Sequence, residues 1–215
     1  MELKLNINLL SKPQIFSQLA GLAIVALTMV EMFTIPKSYF ILGSIVSTSC
    51  MIAVAFLLSS HTEKKFRESL KGVTLGIILA FVLYGIFVAG NYGVENVKLF
   101  GVGSANEQSI YNLFSGTSPA LLVGVLALDA IGFEAYFRGN LQNLFAKRLG
   151  VGAIFIVALI DAAIHISTLN PLFPATVIVA DSVWGLNYYV TRDLYSNIAC
   201  HFLWDILIFV LLPIH

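Results

Sequence analysis

Residues 72–90 read GVTLGIILAFVLYGIFVAG, a run of 19 positions without a charged side chain. A helix needs about 20 such residues to cross a hydrocarbon core of ~30 Å. The run therefore predicts a transmembrane helix centred near Leu79. Six more apolar stretches are centred near Ala23, Cys50, Leu126, Ile160, Ala180 and Leu207. We predict about seven spans, and an eighth, shorter or re-entrant segment stays open.

Composition supports a membrane protein, since 58% of the residues are hydrophobic and 11% are charged, against about 25% charged in soluble domains. The first apolar stretch, residues 15–33, is longer than a signal-peptide core and is interpreted as a retained span. The stretches lack the two-residue alternation of a membrane β-barrel. The predicted fold class is an all-α, polytopic transmembrane helical bundle.

The longest connection between apolar stretches runs from about Asn91 to Ser118 and is rich in glycine. It divides the chain into residues 1–118, with three spans and the long loop, and residues 119–215, with four spans. Nearly all of the intramembrane ionisable residues follow the connection. We predict one integrated membrane domain whose chemistry lies in its second part. In the third span, Gly72 and Gly76 form a GxxxG pattern that is typical of close helix packing.

The distribution of Lys and Arg predicts the orientation. With a cytoplasmic N-terminus, nine basic residues lie inside and two outside, as the positive-inside rule requires. The inside set is Lys4, Lys12, Lys64, Lys65, Arg67, Lys71, Lys147, Arg148 and Arg192, and the outside set is Lys37 and Lys98. We expect an integral protein of a plasma or cytoplasmic membrane, in contact with lipid. The net charge is zero, so nothing indicates nucleic-acid binding.

Three of the late spans carry pairs of polar residues one helical turn apart. The pairs are Glu134 with Arg138, Asp161 with His165, and His201 with Asp205. A charge at bilayer depth costs about 2.5–3.5 kcal/mol, so such residues predict a buried site. Each carboxylate lies roughly 20 Å along its helix from a basic residue. The three pairs are therefore expected to form one cluster.

The chemistry of the pairs suggests distinct roles. Arg138 is expected to hold Glu134 ionised. His165 and His201 can donate, accept or carry a proton, so with carboxylates they can activate a water and stabilise an oxyanion. The same histidines are candidate zinc ligands, although there is no HExxH motif. No cofactor is required. The alternative is that the pairs only join helices, at about 0.6 kcal/mol per contact.

Four further polar residues are candidates around the same site. Asn197 lies one turn before His201, and Asp181 and Asn187 are candidates to line the same cavity. Asp129 lies one turn before Phe133, near the outer end of its span, and fits an interfacial position as well as a functional one.

Residues 133–142, FEAYFRGNLQ, resemble the first motif of the CPBP intramembrane proteases, which include type II CAAX prenyl endopeptidases and bacteriocin self-immunity proteins. That motif is Glu-Glu-x-x-x-Arg and usually continues Phe-Arg-Gly-x-Leu-Gln. The second motif, Phe-x-x-x-His, is similar to Asp161-x-x-x-His165. The third, His-x-x-x-Asn or Asp, is similar to the segment from His201 to Asp205. The resemblance covers about residues 119–213.

The resemblance implies an endopeptidase in which the first Glu and the second-motif His activate a water. His165 would then assist the water, and His201 with Asp205 would stabilise the oxyanion. Glu134 and Arg138 would correspond to the second Glu and the Arg of the first motif. The implied substrate is a membrane-associated peptide or protein, which in the prenyl endopeptidase branch carries a prenylated C-terminal CAAX sequence.

The chain departs from the family pattern at two positions. Phe133 occupies the place of the first Glu, and Asp161 occupies the place of the second-motif Phe. Our hypothesis is that Asp161 supplies the missing base while Phe133 fills the vacated volume from a second shell. Glu134 is a less favoured base because it would have to leave Arg138.

Two alternative functions do not involve catalysis. One is an inactive family member that acts as an immunity, regulatory or scaffold protein. The other is a small transporter, which the absence of repeated halves disfavours.

Overall fold

The computed structural model describes residues 12–58, 70–97 and 104–214, and every regular element in these ranges is a helix. The predicted all-α bundle is therefore confirmed. The helices are α1 Lys12–Thr34, α2 Phe40–Leu58, α3 Leu70–Val97, α4 Ser104–Asn112, α5 Pro119–Phe133, α6 Asn143–Leu149, α7 Gly152–His165, α8 Leu172–Thr191 and α9 Leu194–Ile206. A π-helical segment, Glu134–Gln142, joins α5 to α6, and a second, Leu207–Leu211, extends α9.

The seven predicted span centres each fall within a helix or its π-helical extension. Five helices among the described residues are long and apolar enough to cross a membrane: 13–34, 37–58, 70–93, 119–149 and 194–211. The remaining two are shorter or more polar. The helix over residues 152–168 is apolar but has fewer than 18 residues, and α8 carries Asp181 and Asn187.

The connection between the two parts of the chain is more ordered than predicted. Helix α3 continues to Val97, beyond the expected end near Asn91, and α4 forms inside the connection. With nine residues, α4 is too short to cross a bilayer, so it is not an eighth span. Five of the residues used for orientation, Lys4, Lys64, Lys65, Arg67 and Lys98, lie outside the described ranges. The cytoplasmic N-terminus stays a prediction.

Residues 119–149 form one long helix with a π-helical middle. Ser118 caps its start by accepting a hydrogen bond from the Leu121 backbone N–H, and Pro119 occupies the first turn. Gly150, with φ of +54°, ends it. A π-helix has a wider turn than an α-helix and is frequent at functional sites. The regular α-helical spacing assumed for the first motif is therefore wrong between Glu134 and Gln142.

Small residues let the helices of the two parts approach closely. A Cβ atom at Gly76 on α3 would overlap the Ser196 carbonyl oxygen on α9, and one at Gly132 on α5 would overlap the Thr48 side chain on α2. Helix α3 thus packs directly on the helix that carries His201 and Asp205.

The outer surface of the bundle is apolar. Phe16, Leu27, Phe56 and Leu57 are each about 70% exposed or more, as expected for side chains that face lipid. Together with the five long apolar helices, this surface identifies a membrane protein.

Candidate active site

The predicted pairs meet at a cavity of about 140 Å³ between α1, α2, α5, α7, α8 and α9. Six titratable side chains line it: Asp129, Asp161, His165, Asp181, His201 and Asp205. Glu134 and Arg138 lie behind its wall and are almost completely buried. The structure therefore brings all three pairs together, with four of the six residues facing the cavity.

Four side chains surround His201. Its Nδ1 lies 2.9 Å from Glu134 Oε1, and its Nε2 lies 3.5 Å from Asp205 Oδ2. The Trp184 ring stacks on the imidazole with centroids 3.8 Å apart, and the Phe133 ring meets it edge-on at 5.8 Å. Because 2.9 Å is an ordinary hydrogen bond and 3.5 Å is not, Nδ1 is fixed while Nε2 can serve a group in the cavity.

Glu134 is fully buried and has partners for both oxygens. Oε1 faces His201, while Oε2 accepts a hydrogen bond of 2.8 Å from Asn197 Nδ2 and lies 3.5 Å from Arg138 Nε. A carboxylate so engaged, and outside the cavity lining, is suited to orient His201.

Arg138 joins two carboxylates from different helices. Besides Glu134, its terminal nitrogen contacts Asp181 Oδ1 at 2.5 Å, and its guanidinium lies 5.7 Å from the centre of the Trp184 ring. The pairing with Glu134 was expected, but the shorter contact is with Asp181. Asp181 lines the cavity, and its Oδ2 has no hydrogen-bond partner.

Asp161 and His165 form the second pair on α7. His165 Nδ1 lies 2.9 Å from the Asp161 carbonyl oxygen and 3.3 Å from Asp161 Oδ1. Both residues are buried, and Oδ1 has no hydrogen-bond partner. The imidazole stacks on Phe173 at 5.0 Å and meets Phe33 at 5.2 Å. Since Nδ1 is directed at its own helix, Nε2 is the nitrogen left for a molecule in the cavity.

The Phe133 side chain forms part of the cavity wall. It lines the same cavity as Asp161 and stacks on Phe137 with centroids 5.5 Å apart. The aromatic ring and the carboxylate that depart from the family pattern thus face one space.

Two asparagines support the site from outside the lining. Asn197 Nδ2 bonds both Glu134 Oε2 and the Trp184 carbonyl oxygen, each at 2.8 Å. Asn187 Nδ2 donates to Asn197 Oδ1 at 2.5 Å and to Ser196 Oγ at 3.0 Å. Asn197 thus contacts Glu134 from behind the cavity wall, and Asn187 does not reach the cavity.

The residues that sequence reasoning missed come from α2, and they contact Asp129, which was already a candidate. Asp129 lines the cavity and accepts hydrogen bonds from Ser44 Oγ, at 2.8 and 3.0 Å, and from the Thr48 hydroxyl. A signal was present, because Ser44, Ser47 and Thr48 recur at helical spacing in an otherwise apolar span. The spacing shows a polar face on α2 but not which helix it meets.

A zinc site receives no support from the described ranges. Within them, no group of three or more His, Cys, Asp or Glu side chains is arranged to hold a metal ion. His201 has a carboxylate near each ring nitrogen, and His165 Nδ1 is directed at Asp161. The two candidate zinc ligands are thus each engaged in separate carboxylate pairs.

The family comparison covers this site. A family model described as Type II CAAX prenyl endopeptidase Rce1-like matches residues 115–207, which include all three motif segments. This part of the chain, somewhat less than half of its length, is therefore similar to the CPBP/CAAX protease family. Within this family match lie α5 to α9 and the cavity residues they carry, whereas Phe33, Ser44 and Thr48 lie outside it. Comparison with curated proteins and with solved structures finds no significant match.

Proposed function

We propose that the protein is an intramembrane endopeptidase in which Asp161 and His165 activate a water and His201 stabilises the oxyanion. The observation that carries this proposal is the placement of the Asp161–His165 pair and of His201 on one buried cavity. A base and an oxyanion donor must face the same reacting carbonyl, and a shared cavity permits it.

The water-activating unit is the pair on α7. A water at His165 Nε2 gives up a proton to the imidazole as its oxygen attacks the peptide carbonyl carbon. The Asp161 carboxylate, 3.3 Å from Nδ1, orients the ring and balances the positive charge that develops on it, as a carboxylate does beside a catalytic histidine. Asp161 thereby supplies the carboxylate that position 133 lacks.

The oxyanion side is formed by His201. Its Nδ1–H donates to Glu134 at 2.9 Å, which leaves Nε2 directed toward Asp205 at a loose 3.5 Å. When His201 is an imidazolium, with a proton on each ring nitrogen, Nε2–H can donate to the developing negative charge of the tetrahedral intermediate. Such a donor is worth most in a site that excludes water, and Trp184 and Phe133 cover the ring.

The surroundings of the cavity support a substrate with an apolar group near the scissile bond. A second, apolar cavity of about 230 Å³ adjoins the first, and Ile110, Thr176, Trp204 and Phe209 line both. Its other walls include Ile86, Phe87 and Val179. A prenylated C-terminal CAAX peptide, the substrate of the prenyl endopeptidase branch, would place its apolar portion there.

The decisive experiment compares cleavage of fluorogenic CAAX peptides, with and without a prenyl group, by the purified protein in lipid nanodiscs. Asp161→Asn and His165→Ala should each lower kcat by about 10²–10⁴-fold, the usual contribution of general-base catalysis. Glu31→Gln removes an exposed carboxylate from the end of α1 and should cleave like the parent. Undiminished cleavage by Asp161→Asn would overturn the assignment of this pair.

A second candidate function is that of an inactive family member acting as an immunity, regulatory or scaffold protein. The observation that favours it is Phe133, which cannot accept a proton at the place of the family's first Glu. In that case the parent cleaves none of the peptides, and His165→Ala and His201→Ala retain partner binding.

A further inference from the structure

We propose that Asp129 is the general acid that protonates the leaving amine. The inference rests on the proposed endopeptidase function, and it adds a residue outside the three family motifs to the catalytic machinery. Asp129 is not part of any of the three motif segments, and the sequence placed it equally well at the membrane interface.

Asp129 has the position that this role requires. It lines the cavity shared by Asp161, His165 and His201, but it comes from α5 whereas the water-activating pair comes from α7. His201 and Asp205, which form the oxyanion side of the proposed site, line this cavity as well. An acid on a different helix from the base can reach the nitrogen side of a peptide bond while the base faces the water.

The side chain is fixed in place from α2. Ser44 Oγ lies 2.8 Å from Oδ2 and 3.0 Å from Oδ1, and the Thr48 hydroxyl also bonds Oδ1. The contact between α2 and α5 is tight, since a Cβ atom at Gly132 would overlap Thr48. Asp129 is therefore positioned by two neighbouring hydroxyls on a closely packed helix.

The partners of Asp129 also differ from those of the other carboxylates. Glu134 and Asp181 contact Arg138, while Asp161 and Asp205 each contact an imidazole. In the described ranges Asp129 forms no ion pair, and its recorded hydrogen bonds are to hydroxyl groups, which can both donate and accept. A carboxyl group in this setting can carry a proton, or give it up, without leaving a cation unpaired.

The proposed reaction consumes one water molecule for each peptide bond cleaved. The water oxygen bonds to the carbonyl carbon, and one water proton passes to His165. As the C–N bond breaks, its electron pair stays on nitrogen, which takes the proton of the Asp129 carboxyl group. After the products leave, the proton on His165 returns to Asp129 through water in the cavity. Two groups with opposite initial protonation states divide the acid and base roles, as in other hydrolytic sites.

The test varies the leaving group. A peptide amide needs its leaving nitrogen protonated, whereas a nitrophenyl ester of the same acyl group does not. Asp129→Asn should lower kcat on the amide by about 10²-fold or more and on the ester by less than about tenfold. Asp161→Asn should lower kcat on both substrates, because both need an activated water.

Two further variants test whether the effect of Asp129→Asn could arise from misfolding. Ser44→Ala keeps Asp129 and removes one of its hydroxyl partners, so it should show the same preference for the ester to a smaller degree. Ser49→Ala, whose hydroxyl bonds the Ile45 carbonyl oxygen on the exposed side of α2, should behave like the parent on both substrates.

The outcomes separate this inference from the proposed function. The acid role of Asp129 is wrong if Asp129→Asn keeps full activity, or if it loses activity equally on the amide and the ester. The endopeptidase proposal survives either result, provided that Asp161→Asn loses activity. If the parent cleaves neither substrate, both proposals fall.

Discussion

Glu134 Oε1 and His201 Nδ1 lie 2.9 Å apart although 67 positions separate the residues in sequence. The contact joins the π-helical segment to α9. Because Glu134 occupies Nδ1, it sets which nitrogen of the imidazole faces the cavity, as the buried carboxylate of a hydrolase triad does. In the proposed mechanism, Glu134 acts through His201 and is a positioning residue.

Glu134→Gln should lower kcat by about 10²-fold or more while changing KM little, because the amide can accept or donate at Nδ1 and no longer fixes the tautomer. The measurement is the steady-state kinetics of peptide cleavage, with Glu31→Gln as the carboxylate control. An increase in KM with kcat unchanged would instead place Glu134 in substrate binding.

In the proposed mechanism Arg138 is the second positioning residue, and its contacts with Glu134 and Asp181 should also stabilise the fold. Replacing it by Met leaves Glu134 and Asp181 buried without their cation, which should cost about 3–5 kcal/mol of unfolding free energy. The double variant Arg138→Met with Asp181→Asn removes one stranded carboxylate and should recover part of that loss. Thermal unfolding in detergent measures both, and the exposed Arg148→Met is the control. A double variant less stable than Arg138→Met would contradict the ion-pair argument.

The close packing of α3 on α9 should be needed for both stability and activity. Gly76→Ala forces a Cβ atom against the Ser196 carbonyl oxygen, so α9 must shift and carry His201 with it. Overpacking of this kind costs about 1–3 kcal/mol, visible as a lower Tm together with a lower kcat. Gly85→Ala on the same helix meets nothing within 4 Å and should leave both unchanged. Equal effects of the two variants would show that the contact with Ser196 is not responsible.

The sequence predicted those features that are determined within a single helix. Apolar length placed the seven helices, and four-residue spacing found Asp161 with His165 and His201 with Asp205. A contact between two helices does not produce a periodic pattern in the sequence of either helix. The Asp181 partner of Arg138 and the α2 hydroxyls on Asp129 depend on which faces meet, and the π-helical turn at Glu134 alters the spacing itself. The expectation that chemistry lies only in the second part therefore overlooked Ser44 and Thr48.

The exchange between Phe133 and Asp161 can be tested by reversing it. If Asp161 does the work of the family's first Glu, the double variant Phe133→Glu with Asp161→Phe restores the family pattern on the same cavity. It should recover activity to within about tenfold of the parent, whereas Asp161→Phe alone should lose about 10²–10⁴-fold. Phe133→Gln with Asp161→Phe has a side chain of matched volume at position 133 but no carboxylate there or at position 161, and should stay inactive. Kinetics on one peptide substrate, with thermal unfolding to verify folding, make the comparison. A folded reversal variant no more active than the Gln control would show that the carboxylate on α7 has a role other than the one lost at position 133.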